Sequence, residues 1–327
     1  LVTGRLGEDV TLDAGIAAAR ACGGMILAQL RAALGSLERV ERVVKLGAFV
    51  NSTPDFTDQP KVANGASELM VAVLGEAGWR APPPDSARIA WLKGASFAHR
   101  GLHGGGLAEN STGAFAAAMD RGFGIECDVQ RPADGQAAVF HDWELDRLTA
   151  ETGPVAARSA ADLGRIVLSG SADTIASLRQ VLAQVAGRVP LLIEVKSRRD
   201  LPFAALCRAV RRDLEGYRGP HAVMSFDPRV CGWFAKRSPE TVRGLVVTEE
   251  NARSLSGTVR RHLALWHGKP DFLAYDIRDL SGPFAQNQRA RGLPVASWTV
   301  RTPADRERAA RYADAPIAEG AGIAANA

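Results

Sequence analysis

From residue 82 to residue 327 the sequence predicts an α/β fold, a TIM-type (β/α) barrel, preceded by a partial α+β segment. Three observations support that assignment. Short apolar segments separated by helical stretches recur along this part of the chain, the pattern of βα units feeding a parallel sheet. The strands so marked number about eight, which suits a closed barrel better than a doubly wound sheet. No Gly-x-Gly-x-x-Gly stands at a first βα turn to argue for the alternative. In chain order the expected strands are 96–99, 124–130, 137–141, 191–196, 222–226, 244–248, 272–277, 295–300 and 315–318.

Upstream the pattern differs. The run Ala81-Pro82-Pro83-Pro84-Asp85 denies the backbone both helical and ladder hydrogen bonds, so the domain boundary is placed there, with residues 1–81 on one side and 82–327 on the other. Before it, an Ala-rich helix is expected over 13–34, capped near Thr11 or Asp13, then a strand over 39–51 and a second helix over 64–74.

Composition narrows the function classes. The chain has 327 residues, 46% of them hydrophobic, enough to build real cores. Forty Lys and Arg against 36 Asp and Glu leave a net charge of +4 with no block of like charge, so no nucleic-acid footprint is indicated and small acidic substrates remain compatible. Cys22, Cys127, Cys207 and Cys231 form no CxxC pair, which argues for reduced thiols rather than a zinc site or disulfide framework. No run of about 18 apolar residues predicts a membrane span, and no basic region precedes an apolar start; a cytoplasmic protein is expected.

The chemistry concentrates on two strands. In Gly124-Ile125-Glu126-Cys127-Asp128-Val129 the period of two puts Glu126 and Asp128 on one face. Two buried carboxylates pointing the same way repel and lose hydration unless a cation or strong donors sit between them, and a hard divalent ion is the simplest remedy. The Asp134-Gly135 pair after this strand reads as a two-residue type I′ turn, whose register would set Asp128 opposite His141. Alternation in Leu192-Ile193-Glu194-Val195-Lys196 adds Glu194 and Lys196 on a common face. With His99-Arg100 ending the first strand, two His, three carboxylates, an Arg and a Lys gather at the C-terminal mouth, where barrel active sites lie.

The strings Ala98-His99-Arg100-Gly101, Glu109-Asn110-Ser111, Glu126-Cys127-Asp128-Val129, Phe140-His141-Asp142, Ile193-Glu194-Val195-Lys196, Ser225-Phe226-Asp227 and Ser297-Trp298-Thr299-Val300 occur in the order seen in glycerophosphodiester phosphodiesterases. The chain resembles that family over residues 88–320. The resemblance implies a barrel of the phospholipase C-like phosphodiesterase kind. It implies a divalent metal, Mg2+ or Ca2+, on Glu126, Asp128 and Glu194, and His99 and His141 as general acid and base. Arg100 and Lys196 would bind the non-bridging phosphate oxygens, Glu109 and Asn110 would organise the metal or substrate shell, and Trp298 would pack the barrel and line the glycerol pocket. The implied reaction has the glycerol 2-hydroxyl attack phosphorus, and water then opens the cyclic phosphate to glycerol 3-phosphate. The partner is a small glycerophosphodiester; lysophospholipids or sphingolipids are alternatives within the same reaction class. His103, beside Gly104-Gly105-Gly106, reads as a loop residue rather than a ligand.

This chain departs from the family pattern in two places. Ala108 stands where a proline often precedes the Glu-Asn pair, and Ile175-Ala176-Ser177-Leu178 replaces an Ile-Pro-Thr-Leu string. Residues 4–78 resemble the RidA/YjgF family through Ala18-Ala19-Arg20, Leu34-Gly35-Ser36-Leu37, Phe49-Val50-Asn51-Ser52 and Asn64-Gly65-Ala66-Ser67. Those proteins form trimers and some deaminate enamines and imines, so a homo-oligomer and a deaminase are the corresponding alternatives. The family's substrate-binding arginine falls at Pro82, with Arg80 two positions short, and the segment is expected to be inactive.

Overall fold

The structure is a computed structural model, and it describes residues 3–74, 86–198, 201–250 and 255–323. Its packing divides the chain into two units, residues 1–81 with 252–266, and residues 82–251 with 267–327. The proline run at 81–85 lies outside the described residues.

The larger unit is a closed parallel barrel. Its strands are β1 (Phe97–Ala98), β2 (Gly124–Gln130), β3 (Ala138–Val139), β4 (Leu191–Val195), β5 (His221–Ser225), β6 (Val242–Val247), β7 (Phe272–Asp276), β8 (Val295–Val300) and β9 (Ala315–Ala318). The ring runs β1-β2-β4-β5-β6-β7-β8-β9 and closes because Phe97 and Ala98 pair on one side with Gly124 and Ile125 and on the other with Ile317 and Ala318. β3 is antiparallel and adds to the end of β2.

Alternation along the strands separates two cores. One set of faces contributes Phe97, Leu192, Ala222, Met224, Val246, Phe272 and Ile317 to the barrel interior. The opposite faces, including Ile125, Cys127, Val129, Ile193 and Val195, pack under helices Thr112–Asp120, Leu178–Val185 and Phe203–Leu214. Interior volume is matched by size: a Cβ on Gly244 would come within 2.3 Å of the Phe272 ring, and one on Gly124 within 2.6 Å of the Phe97 ring. Local signals start the outer helices. Ser111 accepts from the amide of Ala114, and Ser177 and Gln180 form a reciprocal capping box. The departure at Ser177 therefore keeps a helix start, and Ala108 is buried in a satellite core under the 131–177 excursion with Phe140, Leu145 and Val155.

The predicted hairpin is corrected. Val129 pairs with Val139 and Gln130 with Ala138, so the amide of Phe140, not His141, meets the Asp128 carbonyl at 3.0 Å. The connection is a longer loop, not a two-residue turn. Gly135 has φ +74°, but the Asp134 carboxylate is spent on the amides of Gln136 and Ala160 at 3.3 and 2.9 Å. The Asx turn it makes replaces the type I′ geometry.

In the smaller unit helix Leu12–Leu34, capped by Thr11, packs against helix Gln59–Leu74. Small residues bring them close: a Cβ on Gly23 would touch Ala66 at 3.2–3.4 Å, and one on Gly65 would meet the Ile16 carbonyl at 2.2 Å. The second helix starts at Gln59 rather than 64, because Pro60 falls in the first turn, where no amide is needed. No strand forms over 39–51. A 3-10 turn spans Leu37–Arg39, and the ladder contacts nearby among the described residues are isolated bridges at Leu6; apolar residues alone make no strand without a partner edge.

Candidate active site

The register of β2 and β4 builds the centre of the site. Asp128 lies beside Glu194, and the carboxylate oxygens of Glu126, Asp128 and Glu194 are within 4.8 Å of one another, all three side chains buried. Cations and amides brace them. Lys196 Nζ is 2.7 Å from Glu194 and 2.8 Å from Asp128. Arg100 Nε is 3.3 Å from Asp128, while the Arg100 backbone amide donates to Glu126 at 3.0 Å. The Asn110 side chain donates to Asp128 at 3.0 Å and accepts from its amide at 3.2 Å. Arg100 and Asn110 reach these positions from left-handed backbone, φ 55° and 58°, with the Asn110 amide on the Arg100 carbonyl at 2.9 Å.

The three carboxylates are not equivalent. Burial, and then the charges of Asp128 and Glu194, push Glu126 well above the usual carboxylate range. Burial also raises Glu194, against the pull of Lys196. Asp128 goes the other way: burial would raise it, but Lys196, His141 and Arg100 hold it far below. Three acids faced by Lys196 and by an Arg100 shared with Glu109 leave the pocket short of positive charge.

Each imidazole has a carboxylate on Nδ1. Glu319, just after β9, holds His99 Nδ1 at 2.5 Å, leaving His99 Nε2 4.0 Å from Glu126. Asp142 holds His141 Nδ1 at 2.6 Å. A carboxylate on Nδ1 sets the neutral tautomer with Nε2 free to accept a proton. Burial lowers the pKa of both imidazoles, opposed by Glu319 at His99 and by Asp128 at His141. Arg147 ties the two halves together, bonding Asp142 and also Glu109 at 2.7 Å, while Glu109 in turn accepts from Arg100 at 2.8 Å.

Beside this centre opens a cleft of about 440 Å3 lined by His141, Trp143, Glu194, Lys196, Ser197 and Phe226. Trp298 donates its indole N–H to the Ala274 carbonyl at 2.8 Å and meets Phe226 edge-on, ring centres 5.3 Å apart. Arg100, Glu109, Asn110, Glu126, Asp128, His141, Glu194 and Lys196 thus fall into one bonded network, while His99, held by Glu319, faces it across 4.0 Å at Glu126 and Trp298 meets its rim through Phe226. Glu319, Asp142 and Arg147, which brace His99, His141 and Glu109, are not among the site candidates read from the sequence. Asp142 stood inside a quoted string; Arg147 lies in an aperiodic excursion and Glu319 comes from the far end of the chain. His103, expected as a bare loop residue, lies with Nε2 3.6 Å from Glu319.

The family profile described as "Glycerophosphoryl diester phosphodiesterase family" matches residues 99–318, and the chain belongs to that family. A YjgF/chorismate mutase-like profile matches residues 1–92. Protein TCP17 of Trypanosoma cruzi is 57% identical over 75 residues, 23% of this chain and 47% of that protein. A glycerophosphodiester phosphodiesterase of Bacillus altitudinis is 38% identical over 130 residues, 37% of this chain and 53% of that protein. The chain spans about half the length of these curated relatives. The structure of an Oleispira antarctica phosphodiesterase in complex with the product sn-glycerol-3-phosphate shares the fold, with a TM-score of 0.61 at 22% identity over 69% of this chain and 93% of that one.

Proposed function

We propose that the barrel hydrolyses glycerophosphodiesters to an alcohol and glycerol 3-phosphate, by acid–base catalysis between His99 and His141 beside a divalent ion. The observation that carries this is the pair of carboxylate-braced imidazoles flanking three buried carboxylates. The trio fits a hard ion: it is all oxygen, and its three carboxyl groups face one lysine and one arginine that Glu109 shares. Glu126, Asp128 and Glu194 would hold Mg2+ or Ca2+, which supplies charge neutralisation for the phosphate.

The chain's own groups account for the remaining steps. One imidazole, neutral and accepting at Nε2, takes the proton of the glycerol 2-hydroxyl as that oxygen bonds to phosphorus. The other donates a proton to the departing alkoxide, and the roles reverse when water opens the cyclic phosphate. With the trio's charge balanced, Lys196 and Arg100 serve the non-bridging oxygens, and Arg147 keeps Glu109 and Asp142 in place behind them. The relative from Oleispira antarctica, solved with sn-glycerol-3-phosphate, supports the assignment of the product.

The deciding experiment measures glycerol 3-phosphate release from glycerophosphocholine and glycerophosphoethanolamine by the full chain with Mg2+, with Ca2+ and with chelator. Release that needs metal is expected. Folded protein that releases nothing from these diesters but does cleave lysophospholipids would overturn the substrate assignment while keeping the reaction class.

A further inference from the structure

The geometry points to a second metal site, formed by His99, His103 and Glu319, that takes a transition-metal ion such as Zn2+ rather than the hard ion suited to the carboxylate trio. One donor atom from each of the three residues lies within 4.8 Å of the other two. Two of the contacts converge on a single oxygen: His99 Nδ1 is 2.5 Å and His103 Nε2 3.6 Å from Glu319 Oε2. The other oxygen, Oε1, is held by Arg301 Nε at 2.6 Å, which orients Oε2 toward the imidazoles.

The second observation is the state of His103. Its Nε2 is buried and makes no hydrogen bond of normal length among the described residues: the nearest acceptor, Glu319 Oε2 at 3.6 Å, stands too far for one and at the spacing of two ligands on a common ion. Neighbouring ligands on a tetrahedral zinc stand about 3.4 Å apart, given bond lengths of about 2.0–2.1 Å. The His103 contact is already near that spacing, and the His99 contact has to widen. The loop after His103 is uncrowded: a Cβ on Gly104, Gly105 or Gly106 would meet nothing within 4 Å, and Gly104 and Leu107 close it with backbone hydrogen bonds of 2.9 and 3.2 Å. Two imidazoles and one carboxylate with a fourth position open form a donor set that favours zinc over Mg2+ or Ca2+.

Occupancy has a consequence for the proposed reaction, and this part rests on the function proposed above. An ion on Nδ1 of His99 leaves the ring proton on Nε2, so that nitrogen donates but no longer accepts. Zinc would therefore inhibit hydrolysis while the hard ion remains bound.

The test uses the full chain, stripped with chelator, saturated with Mg2+ and titrated with Co2+ and then Zn2+. One Co2+ per chain with the intense visible bands of a four-coordinate nitrogen-containing site is expected, displaced by Zn2+. In His103→Asn and His103→Gln, each checked for native circular dichroism, affinity should fall on the order of 100-fold, since even outer-shell changes cost about 10–100-fold. Hydrolysis without zinc should be unchanged in these variants and its inhibition by zinc relieved. Variants that bind Co2+ as tightly as the parent, or a parent that shows only the weak bands of six-coordinate cobalt, would overturn the site. The spectra do not depend on hydrolysis, so loss of the proposed activity and loss of the zinc site read out separately.

Discussion

Two histidines with the same local chemistry sit in different electrostatic surroundings. His99 is braced by Glu319 deep in the barrel mouth, while His141 is braced by Asp142 beside the cleft, and Asp142 is itself clasped by Arg147. Replacing either imidazole with alanine should lower glycerol 3-phosphate release by about 10²–10⁴-fold with the fold retained, read by steady-state kinetics and circular dichroism. Asp142→Asn removes a brace rather than an acid or base, so kcat should fall more than KM rises. It also carries a stability signature. Arg147 first, and His141 as well, hold Asp142 at about 2 against its ordinary 3.8 despite some burial. A depressed folded pKa contributes stability that is present above the unfolded value and lost as pH falls through the folded one. The difference in urea midpoint between the parent and Asp142→Asn should therefore be constant above about pH 5 and shrink toward about pH 2. A pH-independent difference would show that the carboxylate's charge is not what Arg147 holds.

At the scale of elements, the barrel interior is a size-matched layer. Gly244 on β6 faces Phe272 on β7 with no room for a methyl group. Gly244→Ala should cost about 1–3 kcal/mol by overpacking, measured as a lower denaturant midpoint with unchanged m-value. Adding Phe272→Leu should recover part of the loss, and strictly additive costs in the double variant would rule out the steric account. The two-residue β1 has a comparable structural role. Phe97 and Ala98 join β2 to β9 and so bring His99 and Glu319 together, because the His99 amide bonds the Ala318 carbonyl at 2.8 Å.

For the whole molecule, an ion held by the buried trio would link metal to stability. Binding to the folded chain alone adds RT ln(1 + [L]/Kd), about 2.7 kcal/mol at a hundredfold excess over Kd. The melting temperature of the barrel should rise with Mg2+ or Ca2+, and Glu194→Gln should abolish most of the rise. An unchanged melting temperature across millimolar metal would argue against an ion on these carboxylates. Cys127, Cys207 and Cys231 are buried and Cys22 is exposed, and burial pushes the Cys207 and Cys231 thiols up to about 12. These two are packing groups rather than nucleophiles. No helix among the described residues is long and apolar enough to cross a membrane.

Much of this molecule was legible before any coordinates. The placement of Glu126 with Asp128 and of Glu194 with Lys196 follows from a side-chain period of two, which any strand imposes whatever its neighbours. The helix start at Thr11 likewise depends on a few adjacent residues. Where pairing partners mattered, local reading failed. The Asp134-Gly135 turn was misjudged by one register step because the Asp134 carboxylate found the Ala160 amide, 26 residues away. The segment 39–51 is apolar enough for a strand, yet among the described residues no edge is there to receive it. Glu319 meets His99 across 220 residues, and Arg147 meets Glu109 across 38. Neither contact has a periodicity or spacing to announce it, because both depend on barrel closure and on the path of a long excursion. The sequence by itself determined which residues share a face; only the tertiary structure decided which faces meet.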